Sequence, residues 1–282
     1  MKMKKLTLAI AAIALCAAAA AQTTQEEFQT RYERLVRNLG YDGVGIETLL
    51  DRWEEAFPDD AAVPVARFNY YFYKGRRTEV VARPGLRRYL GQEPTLTLKD
   101  SDGNDVNYFE ESFYDEDLFG EAMKILDAQI AAHPDELRWQ YMRITALAAY
   151  EKESPDMAAA ALKQLIMRHA TAHPAWTLDG EPAGADIFQQ GVGEYCANFF
   201  EMGTEAGYEY FREISELMTK YFPRNSVFVA NLGSYWFVAK GNDKQAAKYY
   251  KKALKIDPDD EAASRNLKII ERRQAQAKGK KK

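Results

Sequence analysis

Residues 226–260 read SVFVANLGSYWFVAKGNDKQAAKYYKKALKIDPDD, and their punctuation decides the fold. Apolar residues recur at helical spacing on both sides of Gly241, which makes the stretch two short helices joined by a turn. Gly241 suits a turn that needs positive φ. Asn242 or Asp243 can cap the second helix by accepting from its first amides. Pro258 cannot continue a helix, so the chain turns there. Gly233, Ala246 and Ala253 are small where two paired helices approach closely. Leu232, Tyr235, Trp236, Tyr249, Tyr250 and Leu254 supply the bulk between them.

The combination of Leu232-Gly233, Gly241, Ala246, Tyr250, Ala253 and Pro258 resembles a tetratricopeptide repeat (TPR), with one extra residue in the first helix. Asp243 stands where that family usually carries an aromatic. The residues that follow, EAASRNLKIIERRQ (261–274), place Asn266-Leu267 where Asn231-Leu232 stood, as a further first helix capping the stack does. The resemblance implies an all-α fold, a TPR-like α-solenoid of antiparallel helix pairs. It also implies a concave face that binds a peptide or a partner helix.

Outward from this stretch, Pro58, Pro134, Pro174 and Pro223 repeat the grammar of Pro258. Successive spacings are 76, 40, 49 and 35 residues; the last is near the TPR period and the first is about two periods. Counted back from Pro134, Ala122 and Leu126 hold the places that Ala246 and Tyr250 hold before Pro258. Helices are predicted over 25–38, 46–57, 60–73, 116–132, 136–150, 155–171, 185–202, 205–221, 226–240, 244–256 and 261–277. Ser154 is placed to cap a helix with Pro155 at its first position, and Thr204 to cap another.

The 76-residue interval has a visible cause. Helical period is lost over 76–111. There PTLTLKDSDGNDVNYFEE (94–111) reads as a β-hairpin, with strands 95–99 and 106–109 around an Asp102-Gly103 turn. A second irregular stretch, TLDGEPAG (177–184), lengthens a later interval. The predicted organisation is therefore a signal peptide (1–21), degenerate repeats with a β-hairpin insertion near 76–111 (22–224), the clear repeat with its capping helix (225–277) and a basic disordered tail (278–282).

MKMKK, an apolar run over 6–18 and Ala19-Ala20-Ala21 form a secretory signal peptide with cleavage after Ala21. Export follows, to the periplasm in a Gram-negative cell, with no transmembrane helix in the mature chain. Lipid anchoring at Cys16 is the weaker option, because Leu15 stands where lipoboxes take Gly, Ala or Ser. Of two cysteines, only Cys196 remains after processing, so no internal disulfide forms; in EYCANFF it reads as a buried thiol. Without the signal lysines, 35 basic residues face 42 acidic ones. The end from Arg265 carries +7, leaving about −14 on the body. An acidic body with a basic tail argues against a nucleic-acid groove.

Chemistry is sparse. His169 and His173, four apart, give at most two zinc ligands, short of a closed site. DSDGND (100–105) has calcium-like oxygen ligands but lies between strands, where a hairpin turn explains it. No nucleophile elbow, phosphate loop or dinucleotide fingerprint appears, and no cofactor, metal or catalytic residue is assigned. Aromatics are the richer signal. FNYYFY (68–73) covers more of a helix than one core face needs. Tyr70, Tyr71 and Tyr73, with Tyr108 and Phe109 of the hairpin, are the candidate partner-binding residues. The expected function is an exported scaffold for a protein or peptide partner, monomeric or weakly oligomeric. A glycan-binding accessory protein, loosely similar to the starch-binding SusD-like proteins, is the alternative; an enzyme comes third.

Overall fold

The computed structural model describes residues 24–279. The signal peptide, the Ala21 cleavage site and Cys16 lie outside the described residues. Eleven helices follow in order: α1 (Gln25–Leu39), α2 (Ile46–Ala56), α3 (Ala62–Lys74), α4 (Glu116–Ala132), α5 (Leu137–Glu151), α6 (Asp156–Ala172), α7 (Ala185–Glu201), α8 (Glu205–Tyr221), α9 (Ser226–Val238), α10 (Asp243–Ile256) and α11 (Glu261–Gly279). Each of the five prolines stands two residues beyond the end of an even-numbered helix. The chain is thus five helix pairs and a closing helix, an all-α repeat-like architecture with a small β insertion. The closing helix runs to Gly279, two residues into the predicted tail.

Two compact units divide the chain, one of residues up to 77 with 114–129, the other of 78–113 with residues from 130 on. In the first, Phe28, Tyr32, Leu50, Trp53, Val63 and Ala66 of α1–α3 form the core. Its buried polar atoms are paired, as burial demands. The Trp53 indole donates to Asp60 at 2.9 Å and the Tyr32 hydroxyl to the Ala66 carbonyl at 3.0 Å. Asp60 also accepts from the Ala62 amide, so one carboxylate both starts α3 and holds α2. Where α3 ends, the Gly75 carbonyl accepts from the Asp115 amide at 2.8 Å.

The insertion is a three-stranded sheet of β1 (Arg76–Ala82), β2 (Leu96–Lys99) and β3 (Asp105–Tyr114), in the order β1-β3-β2. The predicted hairpin is its β2–β3 half, with Leu96 opposite Tyr108 and Lys99 opposite Asp105. β1 is an addition to that reading. Its RRTEVVA carries three charges and is almost wholly exposed, so it shows no apolar alternation. At the turn, Asp100 accepts from the amides of Asp102 and Asn104 and from the Asn104 side chain, and Gly103 has φ 83°. These bonds, the Asn104 amide first, hold the Asp100 carboxyl below its usual range. Residues 177–184 contain a minimal hairpin, β4 (Thr177–Leu178) with β5 (Glu181–Pro182).

In the C-terminal stack the pairing is as the small residues dictate. Gly233 faces the ring of Tyr250, and Ala246, Tyr250, Ala253, Ala263 and Ile270 are fully buried. Burying a side chain of Tyr250's size contributes about 1.5–3 kcal/mol. Its hydroxyl is satisfied by Ser234 at 3.1 Å and by the Asn266 amide at 3.2 Å, which ties α10 to α9 and α11. Gly241 has φ 59°, and Asn242 caps α10 through the Gln245 amide. Thr204 caps α8 through the Gly207 amide. The start of α6 differs from expectation. Pro155 lies before the helix, the Ser154 hydroxyl donates to the Asp156 carboxylate rather than capping, and the capping group is Glu151 at the end of α5, accepting from the Met157 and Ala158 amides.

Candidate binding groove

The aromatic candidates separate. Tyr70, 4% exposed, is in the core of the first unit and its hydroxyl accepts from Lys74 at 2.7 Å. Tyr71 is half-buried and reaches Glu47; Tyr73 stacks on Tyr41 at 4.9 Å, with the Arg76 guanidinium 5.0 Å from its ring. Phe68 and Phe72 are also buried. In the second unit Tyr108 is half-buried on the outer face of the sheet, whereas Phe109 is wholly buried beside Tyr89 and has no face left for a partner. The excess of rings over 68–73 therefore lies largely in packing, because α3 is covered on more than one side.

The inner face of the sheet is fastened by charge. Glu111, 3% exposed, receives both nitrogens of the Arg83 fork at 2.7 and 2.9 Å and lies 3.5 Å from Lys152. Hydrogen bonding from Arg83, opposed by burial and helped by the two cations, holds its carboxyl below the usual range. Arg83 also donates to the Tyr89 hydroxyl. Lys152, at the end of α5 with φ 57°, lays its ammonium over the Phe113 ring. An Arg–carboxylate fork of this kind fixes position as well as charge.

A second carboxylate holds the short hairpin. Glu136 accepts from the amides of Arg138, Asp179 and Gly180 and from the Thr177 hydroxyl. Burial works against its charge, but those bonds outweigh it and keep the carboxyl below its usual range. Nearby, the Trp176 indole donates to Nδ1 of His169 at 2.8 Å, and the imidazole stacks on Phe188 at 4.1 Å. Burial, with His173 adding to it, lowers the His169 pKa, so the ring is a neutral acceptor. His173 itself ends α6 in the left-handed region. Cys196 is wholly buried, and burial pushes its thiol up to about 12.

Open space lies instead against α7. Asp186, Gln189, Gln190, Gly193, Glu194 and Ala197 fall at helical spacing along one face of that helix. They form one wall of a groove of about 1020 Å3. The α8–α9 turn, residues 221–225, and the first turn of α9 with Val227 form the other wall, and Asp257 also lines it. Asn225 fixes the turn: its amide donates to Gln189 at 3.0 Å while its oxygen caps α9 at Val227. A Cβ on Gly193 would meet nothing within 4 Å, whereas one on Gly191, two residues away, would strike the Tyr141 hydroxyl. One glycine is therefore required by packing and the other opens the groove. The helix sequence, IFQQGVGEYCANFF, carries this polar stripe at legible spacing, but nothing in the sequence shows that a turn some thirty residues later faces it.

Among the described residues no group of three or more His, Cys, Asp and Glu is placed to hold a metal ion, and no helix is long and apolar enough to cross a membrane. No family model and no curated protein matches the chain.

Proposed function

We propose that the protein is an exported helical-repeat scaffold of the TPR type that holds an extended segment of a partner protein in the groove along α7. The observation that carries this reading is the groove itself. It lies between the first helices of two consecutive pairs, it is large enough for several side chains, and Gly193 leaves its wall open where a large side chain would intrude. Clefts of this size with a few polar groups are the usual form of a recognition site. The repeat-like pairing, the Gly233–Tyr250 contact and the prolines support the TPR assignment.

We read the protein as a binder rather than a catalyst. Its one mature thiol is buried and protonated, and the ring of His169 is occupied by Trp176. Residues 1–21 support export and periplasmic residence; mass measurement of the processed chain from cell envelopes, expected to start at Gln22, tests this part.

Binding is tested with an immobilised library of extended peptides. Saturable binding to some peptides is expected from wild type and from Gly193→Ala, and its loss from Gly193→Trp, whose Cβ meets no neighbour and whose indole would occupy the groove; circular dichroism checks that the variant is folded. A protein that binds no peptide saturably, or binds equally well with tryptophan at 193, does not use this groove.

A further inference from the structure

We propose that the segment accepted by the groove is cationic, a stretch of a partner protein in which lysine or arginine alternates with small aliphatic residues; this rests on the reading of the groove as a peptide site. Three carboxylates face the groove, Asp186, Glu194 and Asp257, against one guanidinium, Arg224. Among the described residues none of these four is in an ion pair. The three carboxylates are exposed and meet only neutral donors: the Gln190 side chain bonds to Glu194 and the Asp259 amide to Asp257. Their charge is therefore turned toward solvent and the open groove. Val227, 51% exposed on the opposite wall, adds an apolar contact between the charges.

The half-charge of helix starts acts in the other direction. It is small here, because Asp186 already lies in the first turn of α7 and Asn225 caps α9. Three full negative charges against one positive charge decide the sign of the field, and a concave site focuses it. The chain's own last helix is a poorer occupant, because α11 is helical to Gly279 and is held by Ala263 and Ile270 in the core it shares with α9 and α10.

The test uses the mature chain and a fluorescent dodecapeptide alternating lysine with valine and serine, beside its glutamate and glutamine counterparts, read by anisotropy at two salt concentrations. The lysine peptide is expected to bind saturably, more weakly at high salt. The triple variant Asp186→Asn, Glu194→Gln, Asp257→Asn should weaken it about tenfold, since each exposed pair contributes a few tenths to 1 kcal/mol. Val227→Lys should weaken it as well, with circular dichroism confirming that both variants are folded. Removing three unpaired acids outside the groove (Glu26→Gln, Glu55→Gln, Glu110→Gln) should change affinity less than twofold. Equal loss in the two triple variants means attraction to the acidic body as a whole and overturns the proposal. Tighter binding of the glutamate or glutamine peptide, lost in Gly193→Trp, overturns it while leaving the groove as a peptide site. Failure of all three peptides to bind overturns it too, and the peptide library then decides whether the groove is a peptide site at all. Concentration-dependent self-association abolished by truncation after Gln276 makes the occupant a second copy and overturns it in another way.

Discussion

A Cβ placed on Gly233 of α9 would stand 2.7 Å from the ring of Tyr250 on α10. The ring cannot swing away, because it is wholly buried and its hydroxyl is held from two sides. Gly233→Ala should therefore destabilise by about 1–2 kcal/mol, the strain of overpacking reduced by alanine's better helix propensity. Gly193→Ala, in open space on α7, should have the opposite sign and stabilise by up to about 1 kcal/mol. Urea midpoints of the two variants give the comparison; a shift in the same direction for both contradicts the packing described.

Glu111→Gln leaves the Arg83 guanidinium and the Lys152 ammonium without their shared counter-charge. Since Arg83 is about one third exposed, water compensates in part, and a loss of about 1–3 kcal/mol is expected. The loss should appear as faster amide exchange in β1 and β3. In a double-mutant cycle, Arg83→Gln on the Glu111→Gln background should add little beyond either single change.

Removing Glu136 acts locally. In Glu136→Ala, three amides and a hydroxyl lose their common acceptor, and the β4–β5 hairpin should open to proteases near Asp179-Gly180. The helix pair beneath should keep its circular dichroism and nearly its unfolding midpoint. Unchanged cleavage at that site is the result that counts against the latch.

Acid should weaken the contact of α8 with α9 in a defined window. The Tyr235 hydroxyl, Lys240 and Arg212 bond to Glu209; the tyrosine bond matters most, burial opposes it, and the carboxyl falls from its ordinary 4.5 to about 2. A folded pKa below the unfolded one gives stability that is complete above about 4.5 and lost as pH falls through about 2. Thermal midpoints of wild type and Glu209→Gln should therefore converge on acidification from pH 5 to pH 2. Parallel curves over that range rule out a contribution from Glu209.

Much of the fold could be read because local chemistry and tertiary packing agree. A proline after every second helix, a left-handed glycine at 241 and an acceptor at Asn242 serve the chain segment in which they stand. What escaped depends on partners far away in sequence. β1 exists because β3 pairs with it, not because its own residues alternate. The cap of α6 comes from Glu151 of the preceding helix, so Ser154 in the usual place was a false signal. The groove is made by a face of α7 meeting a turn some thirty residues later, and its decisive residue, Gly193, is the absence of a side chain.

The hydrogen bond from Asp115 to Gly75 closes a detour of some forty residues at a single point. The end of α3 and the start of α4 already lie together, so the sheet enters and leaves the chain at neighbouring points. Such a site tolerates exchange, since joining neighbouring ends with a few residues adds little closure entropy. A version with residues 76–114 replaced by a short glycine linker would keep the end of α3 beside the start of α4. Divergence of the insertion is therefore limited less by its splice point than by the Glu111–Lys152 contact, which any exchanged module would have to do without.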